Sequence, residues 1–135
     1  MAKTEPTTKA INAARATTAS PLAAAEAGLR VLSARGGELE REFPFGVVRQ
    51  LFEPVLVDAK ERTRLLEGAA GAARPVFEAV DGGDASFAVL HGLYWLTANL
   101  SSEQPLLLAV DDLHWCDGPS VRFLAYLVRR LEGLP

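Results

Sequence analysis

Residues 106–110 read LLLAV and run directly into Asp111 and Asp112. A strand exposed on one face alternates apolar and polar residues, whereas one covered on both faces reads as a continuous apolar run. The run therefore predicts a central strand of a parallel sheet, and the two carboxylates fall at its carboxyl end. Open α/β sheets keep their chemistry at that edge. A chain organised around such a strand needs a second parallel strand and helices to cover the layer.

The rest of the chain supplies both. Residues 29–34, LRVLSA, lie between Gly28 and the Gly36–Gly37 pair and predict a second short strand. Val48, Leu51, Phe52 and Val55 recur at three- and four-residue spacing, predicting a helix that starts near residues 44–46 and is kinked or ended by Pro54. Residues 58–85 alternate charged and small side chains with Gly68, Gly71, Gly82 and Gly83 among them. They read as the most loop-like internal segment, with short helices over 60–67 and 75–80. Asp84 is placed to cap a helix over 86–100 that is apolar on two sides, with Phe87, Leu90, Tyr94 and Thr97 on one and Leu93, Leu96 and Leu100 on the other. After the strand, Asp117 with Gly118 and Pro119 signals a helix start. Val121, Leu124, Val128 and Leu131 predict its buried stripe, Arg129 and Arg130 its last turn, and Gly133 its stop. The two strands stand too far apart for a hairpin, so the pattern predicts an α/β layer with Val31 and Val110 in neighbouring parallel strands.

Residues 1–27 form a separate Ala/Thr-rich segment in which Ile11 and Leu22 are the only large apolar residues after Met1. Helices over 8–19 and over 21–27, the latter with Pro21 after a Ser20 cap, are expected there, with little to bury. Residues 28–135 form the second unit. At 135 residues and 49% hydrophobic composition the chain suits one core. Its 17 acidic and 14 basic residues are scattered, which argues against a nucleic-acid footprint. No apolar run approaches the roughly 18 residues of a membrane span. Cys116 is the single cysteine, so no intramolecular disulfide forms, and a reducing, cytoplasmic setting is expected.

Neighbouring carboxylates at a strand end serve phosphoryl chemistry when one holds Mg²⁺ and the other polarises water. The plainer reading is that Asp111 and Asp112 simply close a strand, and the dipeptide alone leaves both readings open. His114, Cys116 and Asp117 with Asp112 match no closed metal site in spacing. His91 reads as a packed or surface histidine, Trp95 and Trp115 as core or rim aromatics, Cys116 as structural, and Arg35 as a solvated loop arginine with an anion-facing role as the alternative.

Residues 28–135, through LRVLSARGGELEREFPFGVVRQLFEPVL, HGLYWLTANLSSEQPLLLAV and DDLHWCDGPSVRFLAYLVRRL, resemble the ATPase domain of the large ATP-binding LuxR-type transcriptional regulators, P-loop NTPases related to the AAA class. The resemblance implies a partial P-loop NTPase fold (ASCE type): a parallel sheet with flanking helices. In it the apolar run is the Walker B strand, Asp111 is the Mg²⁺ carboxylate and Asp112 is the catalytic acid that activates water; Trp115 and Asp117 match the tail of that motif. ATP and Mg²⁺ are the implied cofactors.

A P-loop also needs a glycine-rich turn with a lysine and a Ser/Thr ahead of its first helix. No glycine precedes Gly28, and Thr8–Lys9 has its two residues in the wrong order. By the same resemblance the family's next strand would follow Pro135. The expectation is a Walker B half without a Walker A half, inactive by itself. The alternative is a non-catalytic interaction module, or a remnant of a truncated regulator gene, that meets a protein partner or a second copy through an uncovered sheet edge.

Overall fold

The computed structural model describes residues 21–78 and 86–132, and its centre is a pair of parallel strands, β1 (Arg30–Arg35) and β2 (Leu106–Asp111). Their register runs from Arg30 opposite Leu106 to Arg35 opposite Asp111, so both strands end together at the acidic tip. Val31 and Val110 do sit in neighbouring strands, opposite Leu107 and Ala34 respectively. The fold is therefore mixed α/β with a parallel sheet, which is two-stranded among the described residues.

Helix α1 (Pro21–Glu26) leads into β1 through Gly28, whose φ of +91° is the left-handed geometry that glycine adopts without a Cβ penalty. The helix expected over 8–19 and the Ser20 cap lie outside the described residues. Helix α2 (Gly46–Phe52) buries Val47, Val48, Leu51 and Phe52. Pro54 then sits in the first turn of a 3-10 segment, Glu53–Leu56, where its missing N–H costs nothing.

Within 58–85 the short helices expected over 60–67 and 75–80 are present as 59–65 and 74–78, and the loop-like reading requires correction only between them, where a 3-10 segment forms. Helix α3 (Ala59–Leu65) is capped by Asp58, which accepts from the Glu61 amide at 3.2 Å; a 3-10 segment (Gly68–Ala73) and helix α4 (Arg74–Glu78) follow. Small residues here are contact surfaces rather than spacers. Ala70 and Ala73 are fully buried, and the 3-10 segment lies so close to Gly92 of helix α5 (Phe87–Ser101) that a Cβ there would fall 2.6 Å from the Ala73 amide nitrogen.

Helix α5 buries Leu93, Leu96 and Leu100 fully, as expected; of its other expected side Leu90 and Thr97 are buried and Tyr94 is half-buried, but Phe87 is exposed. Its cap is Ser86, whose hydroxyl accepts from the Val89 amide at 3.3 Å, in place of Asp84, which lies outside the described residues. Helix α6 (Gly118–Glu132) departs further from expectation. Its buried stripe is Ser120, Phe123, Leu127 and Leu131; Val121 and Val128 are exposed and Leu124 is half-buried. Apolar residues at 121, 124 and 128 compete with those at 123 and 127 for the core, and the packing of Phe123 edge-on against Phe52, 6.1 Å between centroids, selects the face. Arg129 and Arg130 do fall in the last turn; Gly133 is not among the described residues.

The main core gathers one face of the sheet, including Leu32, Ala34 and Leu106, against α2, α5 and α6. On the opposite face Leu107 packs with Leu29 and Val31 among the described residues. The expectation of a strand buried on both faces thus holds for Leu106 and Leu107 alone, while residues 108–110 are half-buried. Among the described residues β2 is paired on one side, and no helix is long and apolar enough to cross a membrane.

Candidate functional site

At the carboxyl end of the sheet the chain leaves β2 through a left-handed residue. Asp112 has φ +54° and ψ +50°, and it opens a 3-10 turn, Leu113–Trp115, in which its carbonyl accepts from the Trp115 amide at 2.9 Å. Aspartate tolerates this region better than most residues, because its short polar side chain finds local partners. The turn also needs room. Gly36 follows β1, and its amide donates to the Asp111 carbonyl at 2.9 Å; a Cβ on Gly36 would stand 2.4 Å from the Asp112 carbonyl oxygen. The glycine lets the two strand ends close on one another.

Arg35 joins the tip from the neighbouring strand. Its Nε donates to Asp112 Oδ2 at 2.9 Å, and the carboxylate raises the guanidinium pKa above its usual value, first through that hydrogen bond and then through its charge. Gln50 of α2 clamps the Arg35 backbone from behind, accepting from its N–H and donating to its carbonyl, both at 3.1 Å. The anion faced by Arg35 is thus Asp112, and the two carboxylates of the tip differ: Asp112 is engaged by a cation, while Asp111 is exposed at the strand end.

Asp117 stands just behind. It is 1% exposed and serves two helices at once. Its Oδ2 accepts from the Ser120 amide at 2.9 Å, the cap of α6 expected from sequence, and also from the Phe45 amide at 2.6 Å; its Oδ1 accepts from the Val47 amide at 3.1 Å. Ser120 Oγ accepts from the Val48 amide at 3.1 Å. Phe45, at φ +60°, is bent into the left-handed region at this junction. Nothing in the local sequence announces the second cap, because its donors lie 70 and 72 residues upstream.

These contacts decide which groups the site suits. Mg²⁺ is held through one or two carboxylates and keeps its remaining waters, so Asp111 and Asp112 suit it in donor chemistry. A phosphate cradle does not fit. Helix N-termini bind phosphate through free N–H groups, but the first amides of α2 are already taken by Asp117 and Ser120. No glycine-rich turn bearing a lysine borders the tip among the described residues. No step through nucleotide follows from this geometry.

The alternative cluster of His114, Cys116, Asp117 and Asp112 does not assemble: among the described residues no three metal-ligating side chains converge. Cys116 is buried, and burial followed by the Asp117 charge pushes its thiol pKa up to about 11 against a weaker opposing pull from Ser120, consistent with a structural thiol. His114 is exposed, with its ring 5.3 Å from that of half-buried Trp115, over which the Arg41 guanidinium sits at 5.8 Å. At the opposite end of β1 an open cleft of about 710 Å³ is lined by Arg30, Pro54, Val57, Asp58 and Glu61, among others. Arg30, which lines the cleft, pairs at 4.0 Å with Glu103, which also meets Arg64.

Comparison of the chain with protein-family models, with curated proteins and with solved structures finds no match.

Proposed function

We propose that the chain is part of the ATPase domain of a cytoplasmic LuxR-type transcriptional regulator, a P-loop NTPase of the AAA-like, STAND class, with β2 as its Walker B strand. The observation that supports this is the parallel register of β1 and β2, which brings Arg35 beside Asp111 and ends both strands at one acidic tip. On this reading Asp111 is the Mg²⁺ carboxylate and Asp112 positions water once a phosphate-binding loop stands alongside. ATP and Mg²⁺ are then the cofactors of the complete site, and this chain by itself turns over no ATP, because no Walker A sequence is identifiable in it.

A second reading, a non-catalytic interaction module, is favoured by the Arg35–Asp112 pair, which commits Asp112 to a structural partner. Titration with a fluorescent ATP analogue and Mg²⁺ separates the two. Micromolar binding that is abolished by Asp111→Ala supports the ATPase reading and excludes a purely structural tip. No binding at millimolar nucleotide leaves the module reading standing for this chain.

A further inference from the structure

Away from the acidic tip, α5 and α6 meet along an aromatic seam. Trp95 Nε1 lies 3.0 Å from His91 Nε2, and His91 Nδ1 lies 3.0 Å from the Tyr126 hydroxyl. An indole nitrogen only donates, so His91 Nε2 must be the acceptor and the neutral ring carries its hydrogen on Nδ1, which donates to Tyr126. The same hydroxyl oxygen accepts from Arg130 Nη2 at 2.6 Å. Both acceptor positions of Tyr126 are then filled, which leaves its own O–H as a donor.

Among the described residues the surface of α5 and α6 around that hydroxyl is predominantly basic. Helix α5 has no charged residue, and α6 has three arginines against one glutamate, in a chain whose net charge is −3. Arg122, Tyr126 and Arg130 stand one helical turn apart on a single stripe. Both arginines are exposed, and among the described residues neither pairs with a carboxylate. The Arg130 guanidinium lies 4.6 Å from the Tyr126 ring centre and 5.9 Å from that of Tyr94, which holds it over the seam. Beside it Phe87 is 68% exposed, stacked at 6.2 Å on His91 and edge-on at 5.7 Å to Tyr126.

We propose that this α5–α6 face docks an acidic segment of another protein, which places a carboxylate against Arg130 and the Tyr126 hydroxyl and an apolar side chain on Phe87. The charge complementarity is specific in kind: Arg122, Arg130 and the Tyr126 hydroxyl all present donors, so the partner must bring acceptors. Tyrosine, tryptophan and arginine are also the residues that anchor protein interfaces. The inference is independent of the ATPase reading, because no residue of the acidic tip takes part.

The test is fluorescence anisotropy on the full chain with a labelled, capped peptide alternating glutamate and phenylalanine. Controls are the same peptide with lysine for glutamate, and an oligothymidylate of similar length. The glutamate peptide binds and weakens with added salt. Arg122→Gln with Arg130→Gln lowers its affinity by about tenfold or more, and Tyr126→Phe, which keeps the ring and removes the donor, lowers it severalfold. Arg129→Gln, off the stripe, changes it by less than about twofold. Circular dichroism establishes that each variant is folded, and the Trp95 indole resonance moves on binding. Equal binding of the lysine peptide, indifference to the double or the Tyr126→Phe substitution, an equal loss with Arg129→Gln, binding of the oligonucleotide alone, or no binding at millimolar peptide would each overturn the proposal.

Discussion

Gly36 and Cys116 flank the acidic tip, and each constrains it through a different kind of physics. A methyl group at Gly36 would meet three backbone atoms, the Asp112 carbonyl oxygen at 2.4 Å, the Trp115 carbonyl carbon at 3.0 Å and the Cys116 nitrogen at 3.1 Å. Backbone cannot swing aside as a side-chain end can, so Gly36→Ala should displace the Leu113–Trp115 turn and separate Arg35 from Asp112. An overpacking cost of about 1–3 kcal/mol, read from urea midpoints, is expected. Cys116 acts through ionisation. With its folded pKa at about 11 against an ordinary 9.0, the native state holds a proton that the unfolded chain releases. Stability from this group is therefore complete below pH 9 and declines as pH rises toward 11. Replacing Cys116 with Ala should flatten that part of the urea-midpoint profile relative to the parent chain, and the parent thiol should stay unreactive to a disulfide reagent until the chain unfolds. An unchanged slope in the variant would show that other groups set the alkaline limit.

Between elements, Asp117 carries the most consequence. Its carboxylate takes three buried amides, two of them at the start of α2 and one in α6, so it fixes the angle at which both helices leave the tip. Asp117→Ala leaves those donors without a partner, each costing about 1–3 kcal/mol, and a total loss on the order of 3 kcal/mol or more is expected. Asn keeps one acceptor oxygen but turns an amide donor toward the remaining N–H groups, so Asp117→Asn should fall between Ala and the parent in denaturation midpoint. Had Asp117 been only the local cap of α6, the loss on Ala substitution would be about 1 kcal/mol. The same residue marks how far the sequence was legible. Its local capping role follows from the adjacent glycine and proline, and β1, α2, α3 and α5 follow from spacing and punctuation. Contacts across 70 residues leave no such trace, and so the second cap and the Arg35–Asp112 pair emerge only in the fold. Helix α6 failed for another reason. Val121, Leu124 and Val128 are as apolar as Phe123 and Leu127, so periodicity allowed two faces and the aromatic contact with Phe52 chose between them.

At the scale of the whole molecule the unsettled balance lies along β2. Natural sheet edges are blunted by charge, proline or a covering element. Residues 106–110 carry no charge, and among the described residues only β1 pairs with them. Leu113, Val121 and Val128 are 53%, 40% and 38% exposed on the turn and helix that follow, so apolar side chains are available for association alongside a strand edge that no described residue pairs. A strand from a second copy would satisfy the backbone and dry the half-buried side chains of residues 108–110 together. Self-association is therefore expected to grow with concentration, seen as a rising weight-average mass by sedimentation from micromolar to submillimolar protein. Ala109→Lys puts an ammonium group on the thinly covered face of this strand, where Ala109 lies opposite exposed Ser33, and should shift the population toward monomer while leaving the main core untouched. Val128→Lys separates the strand from the helix: it should act as strongly only if α6, rather than the β2 edge, forms the contact. If both variants associate as the parent does, neither surface holds the copies together.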